Sequence, residues 1–422
     1  MPPASLADLT AVFLRIGLLS FGGPAAQISL MHREVVEKRG WLSEQDYLSA
    51  LSFCMLLPGP EAMQLATWIG WRKHGTLGGL IAGGLFVLPG AVVVLLLSMI
   101  YVTWGEIPLV AGLFAGLQAA VLAVVIEALL RVAKRALKTP QQRVIATLAF
   151  TALAVFALPF PLVILSAALW GFLRSPIAHR AENTAKPWRQ SLRAATIWGT
   201  VWLGPLALML GFAPPLLAEI ALFFSKLSLL TFGGAYAVLA WMAQEVVQQK
   251  QWLSLPQMID GLGLAETTPG PLILVTQFVG FVAAAKSGLL MGLAGAATAL
   301  WMTFAPCFLW IFAGGPWIAH LRQAPRLAAG LQAITAAVVG VIASLSLWFA
   351  GHVLFTASLS IWLGPLRLNL PDPSSLRPLP IALLIVAAYL LLRRHWPLGW
   401  VLALCALTSA ALAAIVTLPP SL

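Results

Sequence analysis

Charged side chains are scarce in this chain. Only 9% of its 422 residues are Asp, Glu, Lys or Arg, whereas 60% are hydrophobic. A soluble protein of this length cannot bury so much apolar surface in its interior. Apolar runs such as 77–102 and 381–392 recur along the chain, and about 20 apolar residues match the hydrocarbon thickness of a bilayer. The composition therefore predicts an all-α polytopic membrane protein, with the lipid bilayer as its surroundings.

Cysteine is also rare, which excludes several kinds of site. Cys54, Cys307 and Cys405 are far apart and lie in apolar context. They lack the spacing of a disulfide framework or a metal site, so we interpret them as small packing residues. The histidines show no ligand spacing either. We predict neither a metal site nor a cofactor.

The sequence lacks the motifs of nucleotide-driven pumps and of enzymes. There is no Walker loop, no dinucleotide-binding glycine pattern and no nucleophile–base arrangement. These absences argue against an ATP-driven pump and against an enzyme. Met1 to Thr10 has no basic region and no small-residue cleavage site, so no removable signal peptide is predicted.

Acidic residues are outnumbered, at 14 against 25 Lys and Arg, which gives a net charge of +11. The basic residues cluster in short segments between apolar runs. This is the distribution of cytoplasmic loops in membrane proteins. We therefore assign the positive charge to membrane topology and expect no nucleic-acid partner.

One stretch of the chain occurs twice, with a constant offset of 211 positions. Phe21-Gly22-Gly23 returns as Phe232-Gly233-Gly234, Glu34 as Glu245, Trp41 as Trp252, and Pro58-Gly59-Pro60 as Pro269-Gly270-Pro271. The same offset relates Arg15 to Lys226. A shared order and spacing of this kind predicts two homologous repeats.

The apolar runs predict about 13 transmembrane helices, arranged as six, one and six. The predicted spans are 9–31, 48–71, 75–104, 108–133, 144–158, 161–173, 194–212, 216–241, 258–285, 288–317, 327–349, 379–392 and 397–416. Residues 1–173 form the first repeat, 174–213 a linker with the connecting helix, and 214–422 the second repeat. A single connecting span inverts the second repeat relative to the first, as in many transporters.

The Pro-Gly-Pro elements leave an alternative open. If they are re-entrant and do not cross the membrane, the repeats become parallel and the N-terminus lies outside. The loop charges satisfy the positive-inside rule in both arrangements. We prefer the inverted arrangement because the run 48–71 would reach about 36 Å as a helix, which is enough to cross.

Arg15 and Lys226 are the first candidate site residues. A cation within an apolar span is costly and usually faces a wet cavity or the bundle interior. The alternative without a function is that each side chain extends from near a helix end to the membrane–water interface. Because both repeats keep a cation at the equivalent position, we favour contact with an anion. Arg15 would offer a planar fork to an oxyanion, and Lys226 a point charge.

The two Pro-Gly-Pro sequences are the second candidate feature. Pro58-Gly59-Pro60 and Pro269-Gly270-Pro271 each interrupt a span, and Pro60 and Pro271 suit the first turn of a new half-helix. The amides and positive dipole end of such a half-helix favour an anion. A purely structural kink is the alternative. The glycine pairs Gly22-Gly23 and Gly233-Gly234 serve helix packing or ligand approach equally well.

Polar residues beside the breaks complete the predicted site. Gln64 and Gln277 could donate hydrogen bonds to a tetrahedral oxyanion. Glu61 and Glu266 would repel an anion, so each is protonated, paired with a cation or turned away; either is a candidate for coupling to a proton. Outside the spans, we expect a gate or interfacial helix, with Trp41 and Trp252 as alternative interfacial anchors. The gate residues are Arg33, Glu34, Trp41, Glu245 and Trp252.

These motifs resemble the chromate ion transporter family in its long, two-domain form. The resemblance covers nearly the whole chain and rests on Phe21-Gly22-Gly23-Pro24, Arg39-Gly40-Trp41-Leu42, Leu57-Pro58-Gly59-Pro60-Glu61-Ala62, Phe232-Gly233-Gly234-Ala235-Tyr236 and Glu266-Thr267-Thr268-Pro269-Gly270-Pro271. Each motif alone is weak, whereas their order and spacing are specific. One departure is the segment Gln248-Gln249-Lys250-Gln251, which is less charged than expected before Trp252.

The resemblance implies a multi-pass inner-membrane exporter of chromate that confers chromate resistance, with thirteen spans in oppositely oriented halves. A transporter of sulfate or another oxyanion on the same architecture remains an alternative, because tetrahedral dianions of similar size are hard to distinguish. A non-transporting membrane sensor or scaffold is a third reading, which the paired cations disfavour. The sequence leaves a homo-oligomer open.

Overall fold

The computed structural model describes residues 4–21, 23–105, 107–174, 188–232, 235–318, 325–363 and 366–417. Within these ranges the protein is almost entirely helical. Six described helices are long and apolar enough to cross a membrane: Glu61–Trp104, Leu109–Ala136, Trp188–Phe212, Leu289–Trp317, Pro325–Leu354 and Leu398–Ile415. The predicted polytopic helical fold is confirmed, whereas the count of thirteen spans is not.

The described part of the first half follows the predicted interruptions. Its helices are α1 (Leu6–Leu19), α2 (Gly23–His32), a π-helical turn (Arg33–Glu37), α3 (Glu44–Cys54), α4 (Glu61–Trp104), α5 (Pro108–Ala136), α6 (Pro140–Ala154) and α7 (Phe160–Arg174). The connecting helix α8 (Trp188–Phe212) begins before the predicted span. The first apolar run is thus divided near Gly23, and the second at Pro58-Gly59-Pro60.

The second half repeats this order. Its elements are α9 (Pro215–Leu230), α10 (Ala235–Gln244), a π-helical turn (Glu245–Gln249), α11 (Leu255–Thr267), a 3₁₀ turn (Leu272–Leu274), α12 (Val275–Ala285), α13 (Leu289–Gly314), a 3₁₀ turn (Gly315–Trp317), α14 (Pro325–Leu354), β1 (Ser358–Leu363), β2 (Leu366–Pro371), a 3₁₀ turn (Pro373–Ser375), α15 (Pro378–Ala388), a π-helical turn (Tyr389–Arg393) and α16 (Leu398–Thr417).

A short β-hairpin is present in the otherwise helical second half. Its strands are antiparallel, with Ser358 opposite Pro371 and Leu363 opposite Leu366. The alternating sequence Leu366-Arg367-Leu368-Asn369-Leu370 is typical of a strand and was available as a signal. The hairpin lies between the predicted spans 327–349 and 379–392.

The chain divides into two compact units, and each unit takes parts of both repeats. The first consists of Met1–Met99, Ser175–Val238 and Leu264–Ala328, and the second of Ile100–Arg174, Leu239–Gly263 and Ala329–Leu422. The helical breaks at Ser20, Gly59, Thr231 and Gly270 all belong to the first unit. The repeats are therefore interleaved in space.

In the first unit, α8, α9 and α12 pack around α13. The Trp202 indole N–H donates to the Ser225 hydroxyl at 3.2 Å, which joins α8 to α9. The Trp301 indole N–H donates to the carbonyl of Val201 at 3.1 Å, which joins α13 to α8. Trp188, at the start of α8, contacts Trp317 beyond the end of α13. The two helices are thus antiparallel.

Helix α4 contains a sharp reversal. His74 and Gly75 leave the helical conformation, with Gly75 at φ 60° and ψ −153°. The arms 61–73 and 76–104 then pack so closely that a Cβ on Gly70 would lie 2.1 Å from the carbonyl oxygen of Gly78. In the second repeat, Gly280 of α12 meets Gly295 of α13 in the same way. Each half-helix after a Pro-Gly-Pro sequence thus turns back along a long helix.

The first Pro-Gly-Pro element returns to the side from which it starts. Three glycines show the path, through the atom that a Cβ built on each would meet. A Cβ on Gly314 would lie 3.2 Å from the Phe53 ring, and a Cβ on Gly315 would lie 2.9 Å from the Trp71 ring. Between these two contacts along the chain, a Cβ on Gly59 would lie 2.8 Å from the Cys307 Sγ. The chain therefore moves about two turns along α13 and comes back. The segment 48–71, predicted as one crossing span, thus folds as a helical hairpin. Length alone does not fix the direction of the chain after a break.

Corresponding long helices of the two repeats pack antiparallel within the first unit. A Cβ on Gly79 would lie 2.6 Å from the Phe312 ring, and one on Gly83 would lie 3.0 Å from the Phe308 ring. The order of contacts along the second arm of α4 is thus the reverse of that along α13. Both helices follow a Pro-Gly-Pro half-helix in their own repeat.

The second unit is built on α5. Helices α15 and α16 pack against it, and Gly116 of α5 lies against the carbonyl of Cys405. The Phe160 ring of α7 stacks on Trp241 with centroids 5.8 Å apart. All three cysteines of the protein are buried and unpaired, as the sequence predicts.

Candidate functional site

The ends of α1 and α9 have the same local structure. The Ser20 hydroxyl donates to the carbonyl of Ile16 at 2.6 Å, and the Thr231 hydroxyl donates to that of Leu227 at 2.7 Å. Both residues are buried. Each therefore satisfies a helix-end carbonyl and leaves its own carbonyl oxygen directed beyond the helix.

Those two carbonyls link the repeats reciprocally. The backbone N–H of Gly59 donates to the carbonyl of Thr231 at 2.7 Å, and that of Gly270 donates to the carbonyl of Ser20 at 2.9 Å. Ser20 and Thr231 are equivalent residues, as are Gly59 and Gly270, each pair being 211 positions apart. The Pro-Gly-Pro break of each repeat is thus bonded to the Phe-Gly-Gly break of the other.

Glycine is required at both Pro-Gly-Pro positions. Gly59 has φ +119° and Gly270 has φ +90°, conformations that other L-residues adopt only with strain. A Cβ on Gly59 would also lie 2.8 Å from both the Cys307 Sγ and the Gln64 Nε2. The break is therefore tightly enclosed by α13 and by the first arm of α4.

Three buried glutamines face this region. The Gln64 Nε2 donates to the carbonyl of Pro58 at 2.6 Å, and the Gln27 Nε2 to that of Gly270 at 2.7 Å. The Gln277 Nε2 donates to the carbonyl of Ala91 at 3.2 Å. The predicted oxyanion donors Gln64 and Gln277 thus each have a backbone partner, and sequence reasoning missed Gln27.

The Oε1 atoms of these same glutamines are buried and lack a hydrogen-bond partner among the described residues. A buried, unpaired acceptor costs about 1–3 kcal/mol. All three acceptors lie in the first unit, among buried apolar side chains.

The prolines begin half-helices much as predicted. Helix α4 begins at Glu61, directly after Pro60, whereas Pro271 is followed by the 3₁₀ turn and then by α12. Glu61 is half-buried at the start of its helix, while Glu266 is 7% exposed in the last turn of α11. Gly23 begins α2 with φ +78°. Gly22, Gly233 and Gly234 lie outside the described residues.

Arg15 and Lys226 are exposed on the outer faces of α1 and α9. Arg15 lies beside the exposed side chains of Leu14 and Leu18, and Lys226 is one turn from the exposed Leu222. Each cation precedes the end of its half-helix by about one turn. The structure thus places both near the breaks along the chain, on accessible surfaces and not in the buried interior.

A cavity of about 340 Å³ opens between the arms of this helical hairpin, 48–71. It is lined by Asp46, Ser49, Trp68, Trp71, Arg72, Gly315, Pro316 and Ile318. Residues from the start of α3 and the end of the first α4 arm therefore share one opening. Arg72 is exposed there, so the mouth of the hairpin carries a cation.

The predicted gate residues form a compact structure after α2. Glu34 is 1% exposed and accepts from Lys38 at 2.7 Å and from Arg39. Burial opposes its ionisation, but hydrogen bonds from the two cations outweigh it and lower its pKa. Arg33 is exposed.

The two gate tryptophans are buried, not anchored at a surface. The Arg39 guanidinium lies 5.8 Å from the Trp41 ring, and the Lys250 ammonium lies 4.8 Å from the Trp252 ring. Trp41 is 4% and Trp252 6% exposed. Glu245, at the start of the second π-helical turn, is half-buried.

An ionisable contact joins α2 to α3. His32 contacts Glu44 at 2.6 Å and Glu37 at 3.1 Å, and its ring meets Tyr47 edge-on at 5.1 Å. The pKa of His32 is raised, chiefly by its hydrogen bond to the Glu44 carboxylate. Burial acts in the opposite direction, and Glu37 adds to the increase. The Tyr47 hydroxyl donates to the carbonyl of Ile28 at 2.6 Å.

Sequence reasoning also missed a buried acid in the second unit. Asp260 of α11 is 5% exposed and accepts from the Tyr101 hydroxyl and from the Gln118 Nε2, each at 2.8 Å. The available signal was an acidic residue inside an apolar run, in Met258-Ile259-Asp260-Gly261.

A helical membrane protein whose broken half-helices meet in its interior has the architecture of the secondary transporters. Irregular backbone at membrane depth is tolerated where it is enclosed by protein or lines a cavity, and the paired breaks satisfy that condition. Comparison with known proteins agrees with this class. The model of the family described as "Chromate transporter" matches residues 7–172 and 218–412.

Curated relatives match over most of the chain. A "Chromate transport protein" of Cupriavidus metallidurans is 30% identical over 81% of this chain and 82% of its own length. A "Probable chromate transport protein" of Synechococcus elongatus is 30% identical over 81% and 84%, and a "Chromate transport protein" of Pseudomonas aeruginosa is 32% identical over 81% and 80%. No solved structure matches. The chain belongs to the chromate transporter family and is a multi-pass membrane protein.

Proposed function

We propose that this protein is a secondary transporter that exports chromate across the bacterial inner membrane and thereby confers chromate resistance. Family membership supports chromate as the substrate, since three relatives carry that name. The reciprocal bonds Gly59–Thr231 and Gly270–Ser20 are the observation that supports transport. They join the four helix breaks in two pairs, and broken helices of this kind form the substrate and ion sites of many repeat transporters.

The energetics favour outward movement of an anion. With a cytoplasm that is electrically negative, each negative charge leaving gains about 2.3 kcal/mol per 100 mV. A chromate dianion therefore needs no nucleotide to leave the cell. The same argument applies to sulfate, so selectivity depends on the contacts within the site.

The proposed membrane topology has two inverted repeats with re-entrant Pro-Gly-Pro elements. Antiparallel packing of the second α4 arm and α13 supports inversion, and the return at Gly59 supports re-entrance. If all four broken elements return, four further apolar segments per repeat and α8 cross the membrane, and α6 and α7 are the short ones in the first repeat. Of the 25 basic residues, only Lys250, Lys286, Arg367 and Arg377 then lie in outer loops. This charge distribution fits the positive-inside rule well.

Arg15 and Lys226 are the proposed anion contacts. Each lies on an exposed helix face about one turn before a break, and the proposed role has the anion reach it from that face. The N-terminal amides of α2 and the first α4 arm add donors and a positive dipole end. Gln64 donates one amide hydrogen to the carbonyl of Pro58 in the first break, and Gln277 donates one to the carbonyl of Ala91 in α4. A primary amide carries two hydrogens, so each can offer a second one.

Chromate uptake into everted vesicles tests the function. We expect wild-type vesicles to accumulate chromate, with weak competition by sulfate. Arg15→Ala and Lys226→Ala remove charge-assisted hydrogen bonds worth about 1.5–3 kcal/mol each and should raise the half-saturating concentration about 10- to 100-fold. Matched controls are Arg135→Ala and Lys138→Ala, which remove exposed cations of the basic loop cluster.

The outcomes separate the alternatives. Strong competition by sulfate would replace chromate by a broader oxyanion specificity. Normal kinetics in both cation variants would assign Arg15 and Lys226 to the lipid interface. Wild-type vesicles that take up no oxyanion at all would support the sensor or scaffold reading.

A further inference from the structure

We propose that Asp260 is a proton-binding residue that couples transport to the pH gradient. This inference rests on the proposed transport function and adds a residue that the predicted site did not include. The carboxylate of Asp260 is enclosed where α11 meets Tyr101 of α4 and Gln118 of α5. It lies on the helix that leads into the second Pro-Gly-Pro break.

The surroundings of Asp260 are neutral. Its two carboxylate oxygens accept one hydrogen bond each, from a phenol and from a primary amide, and no ion pair to Asp260 occurs among the described residues. A buried carboxylate without a cation has a large desolvation cost. Proton uptake removes that cost, so the site has a physical reason to change its protonation state.

Both protonation states can be satisfied by the same neighbours. The ionised carboxylate accepts from Tyr101 and Gln118, as observed. After proton uptake, the carboxylic O–H can donate to the Tyr101 oxygen, since a phenol both donates and accepts. Gln118 continues to donate to the other carboxyl oxygen. A lysine or arginine in place of Tyr101 would hold the ionised state only.

Few other titratable groups face this site. On α4 the facing group is Tyr101, whose ring meets Phe114 edge-on. On α5, Glu127 and Arg131 lie more than two turns beyond Gln118 and pair with each other. Cys405 of α16 is buried against α5 at Gly116, and Glu266 lies six residues further along α11. The proton equilibrium therefore depends chiefly on the three hydrogen-bonded residues.

The local packing makes the trio sensitive to movement of α11. A Cβ on Gly263 would lie 2.6 Å from the Leu117 side chain, so α11 and α5 are in close contact one turn beyond Asp260. Any displacement of α11 changes both hydrogen bonds together. Protonation of Asp260 and movement of the helix that ends at Thr267 are thus linked, which is the requirement for coupling.

The test uses full-length protein in everted vesicles, with chromate uptake measured with and without an imposed pH gradient. Wild type should respond to the gradient. Asp260→Asn, which is close in size and still forms hydrogen bonds, should retain chromate uptake driven by membrane potential but lose the response to the pH gradient. The control is Gln257→Asn, which changes the half-buried amide that accepts from the Ser254 N–H at the start of α11.

Tyr101→Phe provides a graded variant. It removes one donor to the ionised carboxylate, so the midpoint of the pH dependence should move to higher pH while the response to the gradient remains. Infrared difference spectra of purified protein give a readout independent of transport. A carboxylic-acid band that appears with falling pH should be absent from Asp260→Asn.

The outcomes distinguish two failures. If wild type takes up no oxyanion, the proposed function fails, and the infrared band still decides whether Asp260 binds a proton. If wild type transports chromate and Asp260→Asn keeps the same response to the pH gradient, Asp260 only holds α4, α5 and α11 together and the inference is overturned.

Discussion

At the scale of single residues, equivalent positions of the two repeats make equivalent hydrogen bonds. Ser20 and Thr231 have different side chains, yet both donate to the carbonyl four residues earlier and both accept an N–H from the opposite repeat. The sequence shows the motif offset but not this cross-pairing, because the bonded residues are 172 and 250 positions apart. Contacts of that range arise only in the folded chain.

The enclosure of Gly59 leads to a prediction at the residue scale. Gly59→Ala should lower thermal stability strongly, because the positive φ costs about 1–3 kcal/mol in strain and the new methyl group meets the Cys307 Sγ and Gln64. Adding Cys307→Ala should restore part of the loss by removing one of the two clashes. The measurement is the melting temperature of the purified protein in detergent.

Gly199 of α8 is the matched control, since a Cβ there meets open space. Alanine in a helix interior is favoured over glycine by about 0.5–1 kcal/mol, so Gly199→Ala should be neutral or slightly stabilising. Equal melting temperatures for Gly59→Ala and Gly199→Ala would contradict the enclosure of the first break.

At the scale of elements, the hairpin of α2 and α3 contains a pH-sensitive contact. The pKa of His32 is raised above 6.5 by Glu44 first and then Glu37. A raised folded-state pKa stabilises the protein below the unfolded value, and the contribution is lost as pH rises through the folded value. With partners that are 59% exposed, the contribution should not exceed about 1 kcal/mol.

The corresponding prediction is a difference in melting temperature between about pH 6 and about pH 8.5, a range that brackets the usual histidine pKa. Wild type should lose more stability over this range than His32→Gln, which cannot titrate. His352→Gln, an exposed histidine of α14, should behave like wild type. Parallel profiles for wild type and His32→Gln would assign the contact no role in stability.

At the scale of the whole molecule, topology decides which loops face the cytoplasm. The re-entrant, inverted arrangement places residue 45 inside and residue 248 outside, whereas thirteen crossing spans place them the other way round. Single cysteines replacing the exposed Gln45 and Gln248 should therefore react from opposite sides of the membrane. We expect an impermeant maleimide added to whole cells to label Gln248→Cys and to spare Gln45→Cys.

Two further cysteines calibrate this experiment. Ser287→Cys should label from outside and Lys138→Cys from inside in both arrangements. The native cysteines are buried and should remain unlabelled. Labelling of Gln45→Cys from outside would restore the crossing assignment and would also remove the re-entrant basis of the proposed topology.

The sequence by itself determined the membrane class, the duplication and the positions of the breaks. Composition fixes the first through the cost of exposing apolar surface to water, and the others follow from local chemistry, because proline and glycine interrupt a helix wherever they occur. Tertiary structure decided what the breaks do. The direction of the chain after Gly59, the bonds from Gly59 and Gly270 to the opposite repeat, and the enclosure of Asp260 all depend on packing between segments far apart in sequence. No local rule encodes which of two directions a broken helix takes; the neighbouring helix α13 supplies the surface that selects one.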